Sequence, residues 1–185
     1  MRQILGLAGA PGAGKTTFAR AWADELGAAY LPMDGFHLAD VALDALGLRD
    51  RKGAPETFDA HGYAALLRRL RTDPDHTVWA PAFERDLEQP LAGAIGIGPE
   101  VRVVVTEGNY LLLDTPAWRA VRAELDECAY LDVDDALRTE RLVARHVAFG
   151  KSPAAAAAWV AAVDEPNAAL VAASRDRADR VVRGS

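Results

Sequence analysis

The sequence predicts an α/β fold in which helices cover both faces of a mostly parallel β-sheet. Apolar, β-branched segments alternate along the chain with stretches of helical periodicity, which is the pattern of strands joined by crossover helices. A glycine-rich turn separates the first predicted strand from the first predicted helix. The expected architecture is a three-layer sandwich of helices, sheet and helices.

The strands are predicted from short apolar runs. Residues 103–105 are consecutive valines within the predicted strand 101–106, and such an unalternated run is expected where a sheet is covered on both faces. The other runs are shorter but of similar composition. The predicted strands cover residues 4–8, 29–33, 77–81, 101–106, 128–133 and 180–182.

The helices are predicted from periodicity and from the residues at their ends. In residues 14–26, Phe18, Trp22 and Leu26 recur at a four-residue spacing that places them on one face. Further helices are predicted over residues 63–70, over residues 134–149 with a cap at Asp134 and Asp135, and from Pro153 onwards. We expect residues 164–167 to turn the chain into a last helix, and the Pro- and Gly-rich residues 89–99 to form an irregular connection.

Composition and charge argue against several classes of protein. The 185 residues carry a formal net charge of −6, spread evenly over both halves without a basic stripe, which argues against nucleic acid as a partner. Cys128 is the single cysteine, so neither an internal disulfide nor a cysteine-based zinc site is expected. The longest strongly apolar run, residues 154–163, is about half as long as a bilayer requires. We expect one domain over residues 1–185 in a cytoplasmic protein without membrane contacts, with a homodimer as an open possibility.

One motif carries specific chemistry. Residues 9–16 read Gly-Ala-Pro-Gly-Ala-Gly-Lys-Thr, which matches G-x-x-x-x-G-K-[ST] between a predicted strand and a predicted helix. The glycines allow backbone N–H groups to turn towards phosphate oxygens, at a helix N-terminus whose dipole attracts anions. Lys15 is expected to reach the β- and γ-phosphates, and the Thr16 hydroxyl to join the shell of Mg²⁺. The motif predicts a P-loop NTPase fold that binds ATP and Mg²⁺. The predicted nucleotide-binding residues are Gly9, Ala10, Pro11, Gly12, Ala13, Gly14, Lys15, Thr16 and Thr17.

Two other nucleotide-binding classes are disfavoured. A dinucleotide fingerprint starting at Gly12 needs glycine where the chain has Thr17, although Asp34 has the spacing of a ribose-binding acid. A GTPase is disfavoured because no N-K-x-D guanine signature occurs in the sequence. A kinase and a nucleotide-gated regulatory ATPase remain as alternatives.

Two acidic residues favour the kinase. Asp34 and Glu107 each follow a predicted strand, so both are expected at the carboxyl edge of the sheet, where ligands bind. Asp34 could accept a proton from a substrate hydroxyl or orient it, although aspartate before glycine is also common in turns. Glu107 stands where P-loop enzymes hold Mg²⁺, directly or through water, with glutamate in place of the usual aspartate.

Four segments carry a resemblance to a known family. They are Asp34-Gly-Phe-His37, Lys52-Gly-Ala-Pro55-Glu56-Thr-Phe-Asp59, Glu107-Gly-Asn-Tyr110-Leu and Ala178-Asp179-Arg-Val-Val182. With the phosphate-binding motif they resemble the uridine kinase, phosphoribulokinase and bacterial pantothenate kinase family, and most of all its nucleoside- or sugar-kinase-like members. The resemblance spans nearly the whole chain. It implies a five-stranded, mostly parallel sheet, a mobile helical lid, Asp34 as the base, and Glu107 near metal and substrate.

The resemblance also implies a lid around residues 138–155. Arg138, Arg141 and Arg145 share a helix face there, and family members use lid arginines to neutralise charge on the transferred phosphoryl group. Arg141 and Arg145 are the expected catalytic arginines. For Arg138 we expect an ordinary solvent-exposed helix pair, because acidic residues precede it by three and four positions.

The acceptor is left open by the sequence. Family members usually carry a histidine after the third strand, but residues 81–86 contain none. Arg85 is expected to meet an anionic group and Glu84 a hydroxyl, with solvated loop charges as the equal alternative. Through the resemblance, His37, Asp59 and Tyr110 are expected near the acceptor, together with Asp34.

The sequence therefore predicts a uridine kinase-like, ATP-dependent phosphotransferase with an alcohol group as acceptor. It would transfer the γ-phosphoryl group to a small polar metabolite such as a nucleoside, a sugar or a pantothenate-like molecule. The predicted catalytic residues are Lys15, Asp34, Glu107, Arg141 and Arg145, with Thr16 and Glu107 on the metal. The alternative is a nucleotide-gated regulatory ATPase without a small-molecule acceptor.

Overall fold

A five-stranded parallel β-sheet forms the centre of the computed structural model, which describes residues 2–184. The strands of the described chain are β1 (Gln3–Ala8), β2 (Ala29–Pro32), β3 (Val78–Glu84), β4 (Gln89–Ile97), β5 (Val103–Gly108), β6 (Glu127–Asp132) and β7 (Arg180–Arg183). The central sheet has the order β2-β5-β1-β6-β7, and each neighbouring pair is parallel. The predicted α/β fold class is confirmed.

Helices cover both faces of this sheet. They are α1 (Lys15–Leu26), α2 (Asp40–Leu46), α3 (Ala60–Thr72), α4 (Pro116–Arg122), α5 (Asp135–Ala148), α6 (Pro153–Trp159) and α7 (Glu165–Ala172). Buried residues of α1 pack with one face of β1, and buried residues of α3, α4 and α7 share the core on the other face. Ile4 and Leu5 are both buried on opposite faces, which explains why the strand shows no polar alternation.

The segment before α4 confirms one sequence interpretation and corrects another. The strand predicted at residues 77–81 is present as β3, which lies outside the central sheet and pairs antiparallel with β4. Residues 89–99, predicted as an irregular connection, contain β4. Their Pro and Gly argued against a strand, but a two-stranded ribbon has free edges that tolerate both residues. Gly96 lies under the ring of Trp79, where a Cβ would approach a ring carbon to 3.0 Å.

The helix after α6 corrects a second interpretation. Residues 164–167 form no turn, because α6 continues through a π-helical turn, Val160–Asp164, directly into α7. Pro166 lies in the first turn of α7, where its missing N–H and its ring interfere least with helical hydrogen bonds. The chain therefore passes from Pro153 to Ala172 in one helical run.

A buried arginine lies at the edge of the sheet where the parallel strands begin. Arg2 is 2% exposed, and its guanidinium donates to four carbonyl oxygens, those of Leu70, Asp73, Gly98 and Val101, at 2.8 to 3.2 Å. Two of these carbonyls belong to the C-terminal end of α3 and its cap, where a cation is favourable. Arg2 thus joins α3 to the segment that leads into β5.

No helix within residues 2–184 is both long enough and apolar enough to cross a membrane.

We expect Arg2→Met to destabilise the protein by about 2–4 kcal/mol, because it leaves buried carbonyl groups without a donor. The measurement is urea unfolding at neutral pH. Arg102→Met is the matched control, since Arg102 is exposed on a neighbouring segment. Equal unfolding free energies for the two variants would contradict the role of Arg2.

Candidate functional site

The loop between β1 and α1 has the backbone geometry of a phosphate-binding loop. Gly12 and Gly14 have φ values of 80° and 81°, a region in which glycine carries no steric penalty. Gly14 is the N-cap of α1 and has no side chain to cap it. The N–H groups of the first turn of α1 are therefore available to an anion, as in other helix N-terminal phosphate sites.

Close packing also requires glycine in this loop. A Cβ on Gly12 would lie 2.6 Å from the carbonyl oxygen of Arg138 and 2.7 Å from the Leu142 side chain, both on α5. A Cβ on Gly9 would lie 3.0 Å from the carbonyl oxygen of Leu131. The loop is thus held between β6 and α5.

The side chain of Lys15, the first residue of α1, is buried against the phosphate-binding loop. Its ammonium group donates to the carbonyl of Ala10 at 3.0 Å, and the residue is 7% exposed. Burial lowers the pKa of Lys15, while the nearby carboxylates of Glu107 and Asp34 act in the opposite direction. The loop therefore holds a desolvated cation beside the N-terminus of α1, at the position where phosphate oxygens would need one.

Glu107 lies on β5 at the carboxyl edge of the sheet and is equally buried. Its Oε1 accepts hydrogen bonds from the Thr16 hydroxyl at 3.0 Å and from the Tyr30 hydroxyl at 2.8 Å. Burial, and then the charge of Asp34, raise the pKa of Glu107, partly offset by Lys15 and the two hydroxyls. The Glu107 carboxylate and the Lys15 ammonium group are thus buried in one site, with the partly exposed Asp34 carboxylate beside them.

These groups line one cavity of about 490 Å³. Lys15, Thr16, Asp34 and Glu107 contribute to its wall, together with Arg85, whose guanidinium lies 3.1 Å from the Asp34 carboxylate. Asp34 is carried by a 3-10 turn, Met33–Phe36, that follows β2. Gly35 of that turn packs directly against the Pro81 carbonyl, so the β3–β4 ribbon supports the position of Asp34.

A second part of the wall is aromatic. The ring of His37 lies 3.9 Å from that of Phe58 and 4.8 Å from that of Phe83, measured between centroids. His37 Nδ1 lies 2.8 Å from the Asp34 carbonyl oxygen, and burial lowers the pKa of His37. Lys52 also lines the cavity and donates to the Asp40 carboxylate at 2.8 Å.

The predicted lid arginines lie beside the loop. Arg145 lines the cavity, and the guanidinium of Arg141 lies next to Gly14, 3.7 Å from where a Cβ would stand. Both belong to α5, which ends at Ala148 before the break at residues 149–152. Their roles in catalysis stay a prediction.

Arg138 corrects the sequence interpretation of a solvent-exposed helix pair. It is 2% exposed, and its Nη2 donates to the Glu165 carboxylate at 2.9 and 3.0 Å. Its Nη1 donates to the carbonyl of Pro11 in the phosphate-binding loop at 3.4 Å. The predicted partner Asp135 is in contact at 3.2 Å but is itself exposed. Arg138 therefore joins the phosphate-binding loop to α7.

Three residues predicted near the acceptor do not line this cavity. Asp59 caps α3 by accepting from the Gly62 N–H at 2.7 Å. Tyr110 is buried in the core, and its hydroxyl donates to the Gly53 carbonyl. Glu84 accepts from the Asp86 N–H at 3.2 Å within the β3–β4 ribbon. The structure brings Asp34, His37 and Arg85 into the cavity and leaves these three outside it.

Sequence reasoning missed several residues in and around the cavity. Tyr30 holds Glu107, but a tyrosine in an apolar strand gives no sign of such a contact. His146, Trp159, Asp164 and Asn167 also line the cavity. For Trp159, Asp164 and Asn167 the signal was a tryptophan and polar residues within an alanine-rich stretch, but residues 164–167 resemble a turn. No signal in the sequence pointed to His146.

Comparisons with known proteins agree with this geometry. The model of the ATPase family associated with various cellular activities (AAA) matches residues 5–92. A protein of Schizosaccharomyces pombe that is named as a proposed uridine kinase is 36% identical over 160 residues, which cover 80% of this chain and 68% of that protein. The uncharacterized protein YggC of Escherichia coli is 34% identical over 188 residues, which cover 98% of this chain and 77% of YggC.

A solved structure is similar over almost the whole chain. It is the crystal structure of a kinase from Silicibacter sp. TM1040 that is named as a proposed fructose transport system kinase. It superposes with a TM-score of 0.91 at 41% sequence identity, over 98% of this chain and 89% of the other.

We expect Glu107→Gln to change how the stability of the ligand-free protein depends on pH. Because the folded state raises the pKa of Glu107, the stability that this group contributes is fully present below its unfolded pKa, about 4.3. It is lost as the pH rises through the higher folded pKa. The wild type should therefore lose stability relative to Glu107→Gln as the pH rises above about 4.3.

The measurement is the thermal unfolding midpoint of both proteins from acidic to slightly alkaline pH, without nucleotide or divalent cations. Glu25→Gln is the control, because Glu25 is exposed on α1. If the curves of wild type and Glu107→Gln run parallel, the buried charge of Glu107 does not act in this way.

Proposed function

The chain belongs to the uridine kinase-like family of P-loop kinases, and from this membership we propose that it transfers the γ-phosphoryl group of ATP to a hydroxyl of a small polar metabolite. The observation that carries the proposal is a single cavity. Lys15 and Thr16 meet Asp34 and Glu107 in that cavity, beside the N-terminus of α1. Phosphoryl transfer needs positioning and charge stabilisation more than covalent chemistry, and these residues supply both.

The loop would bind the phosphates of the nucleotide. The N–H groups of the first turn of α1 and the helix dipole favour an anion there. Lys15 is already desolvated, so its charge acts on a phosphate oxygen with little screening by water. An approaching phosphate would compete with the Ala10 carbonyl for the ammonium group, which costs one hydrogen bond and gains a charge-assisted one.

The oxygen donors beside the loop fit Mg²⁺. The Thr16 hydroxyl and the Glu107 carboxylate are hard ligands 3.0 Å apart, and Mg²⁺ in kinases usually takes one or two protein oxygens, with phosphate and water completing its shell. The charge of Asp34 helps to raise the pKa of the buried Glu107, so a cation beside Glu107 is favourable. When bound, the metal would neutralise charge on the β- and γ-phosphates.

Asp34 would orient the acceptor hydroxyl towards the γ-phosphoryl group. It follows β2 at the carboxyl edge of the sheet, and its carboxylate is about one third exposed to the cavity. In the structure, its carboxylate accepts a hydrogen bond from Arg85. A hydroxyl that replaces this contact would donate to Asp34, which could accept the proton as transfer proceeds. Arg141 and Arg145 would neutralise charge on the transferred group from the side of α5.

The shape of the cavity favours a kinase over a regulatory ATPase. Beyond the phosphate-binding loop, the cavity continues between His37, Phe58 and Phe83. An ATPase without an acceptor has no need for this space.

We expect Lys15→Ala to lower acceptor-dependent turnover by about 10²–10³-fold, the usual cost of losing one preorganised electrostatic contact. The measurement is ADP release with ATP, Mg²⁺ and a panel of nucleosides, sugars and pantothenate. Lys52→Ala is the control for loss of a lysine from the same cavity. Wild-type turnover in Lys15→Ala would contradict the assignment of the loop.

We expect Asp34→Asn to retain ATP binding and to lose acceptor-dependent transfer by about 10²-fold or more, because general base catalysis typically contributes 10²–10⁴-fold. Binding is measured by calorimetry, and transfer by the same panel. If transfer persists undiminished, Asp34 is only a turn residue. If no acceptor raises ADP release in the wild type, the regulatory ATPase is the correct alternative.

A further inference from the structure

One wall of the cavity has no role in the reaction described above. It is built by Trp159, Asp164 and Asn167 of the helix that follows the lid segment, and by His146 of α5. None of these residues belongs to the phosphate-binding loop or to the elements that carry Asp34 and Glu107. All four nevertheless line the same cavity as those two carboxylates.

The π-helical turn explains how these side chains come to share a face. In a regular α-helix, successive residues are about 100° apart, so Asp164 would stand about 140° around the axis from Trp159. The turn Val160–Asp164 is wider and adds a residue to the helical repeat. That addition rotates Asp164 and Asn167 back towards the face of Trp159. Such turns cost hydrogen-bond geometry and occur frequently at functional sites.

Asn167 has hydrogen-bonding capacity that the described protein leaves unused. The residue is 8% exposed, and no hydrogen bond joins its side-chain amide to another residue within 2–184. Every fully buried polar side-chain atom in this part of the chain has a partner, so the Asn167 amide must open into the cavity. A largely buried amide without a protein partner is favourable only when water or a ligand satisfies it.

Asp164 is oriented by a neighbour and retains a free acceptor position. His146 Nε2 lies 2.8 Å from its Oδ2, and because an ionised carboxylate only accepts, the imidazole must donate. The Asp164 side chain is 12% exposed and lines the cavity, which leaves further lone pairs for a ligand. The Trp159 ring stands beside this pair and is held on one side by the Lys151 ammonium group, 4.6 Å from its centroid.

We propose that Asp164 and Asn167 form a subsite that binds a vicinal diol of the acceptor, with the Trp159 ring beside it. Two neighbouring ring hydroxyls both donate and accept, which matches a carboxylate that accepts and an amide that does both. The inference rests on the proposed kinase function, since it names the part of the acceptor that is held away from the reacting hydroxyl. The diol can come from a free sugar or from the ribose of a nucleoside.

The experiment compares acceptors with and without the diol. Wild-type protein is assayed for ADP release with uridine, D-ribose and D-fructose, each beside its analogue lacking one hydroxyl of the pair, and with pantothenate, whose hydroxyls are not vicinal. We expect kcat/KM to fall about tenfold when one hydroxyl is removed, because the pocket group that it satisfied is left unpaired. Whether uridine or the free sugars are used identifies the source of the diol.

The variants separate binding of the diol from a structural role. In Asn167→Ala, the KM for the diol acceptor should rise about tenfold, with the KM for ATP unchanged. The variant should also treat the diol and its deoxy analogue alike, which a general loss of structure would not produce. Asp164→Asn should weaken the acceptor by about tenfold or more, since it removes a charged acceptor. Ala162→Asn places an amide on the exposed side of the same helix and should change neither constant.

Each outcome decides one question. If the wild type uses deoxy analogues or pantothenate as well as the diol acceptors, the subsite does not read a diol. If Asn167→Ala raises the KM for ATP and not that of the acceptor, the wall belongs to the nucleotide. Both results overturn the inference and leave the kinase intact. If no acceptor stimulates ADP release while ATP still binds, the kinase proposal itself fails.

Discussion

The rest of the site depends on two charged groups, Lys15 and Glu107, that are buried at the carboxyl edge of the sheet. Lys15 and Glu107 are each less than one tenth exposed, and Asp34 lies beside them in the turn that follows β2. Burial disfavours the charged form of both, and their mutual attraction offsets only part of that cost. A phosphate anion near Lys15 and a divalent cation near Glu107 would therefore be favourable together.

Closely packed neighbouring elements hold these charged side chains in place. The phosphate-binding loop is packed between β6 and α5, and Gly12 permits an approach to α5 that any side chain would block. Arg138 then ties the Pro11 carbonyl to Glu165 at the start of α7. Because the same helical run carries Asp164 and Asn167, the buried Arg138 guanidinium links the loop to the part of the cavity wall that these two residues form.

The three errors of sequence interpretation have different physical causes. Residues 89–99 are predicted as an irregular connection because glycine and proline disfavour central strands. Both residue types are tolerated in the two-stranded ribbon that this segment forms. At residues 164–167 the Asp-Glu-Pro-Asn sequence has turn chemistry, yet a π-helical turn allows the helix to continue through it. For Arg138, the neighbouring acids correctly indicated an ion pair, but its burial depends on how closely α5 packs against a loop more than a hundred residues earlier.

The sequence by itself determined the fold class, the phosphate-binding loop and the position of Asp34 and Glu107 at one edge of the sheet. These follow from local patterns, since apolar runs, glycine spacing and strand ends are read over a few residues. Only the tertiary structure decided which side chains share the cavity. It excluded Asp59, Glu84 and Tyr110 from the cavity and added Trp159, Asp164 and Asn167. It also placed the Tyr30 hydroxyl on the Glu107 carboxylate. The reason is that a cavity is formed by elements far apart in the chain, and its lining depends on helix rotation and packing distance, which no local pattern encodes.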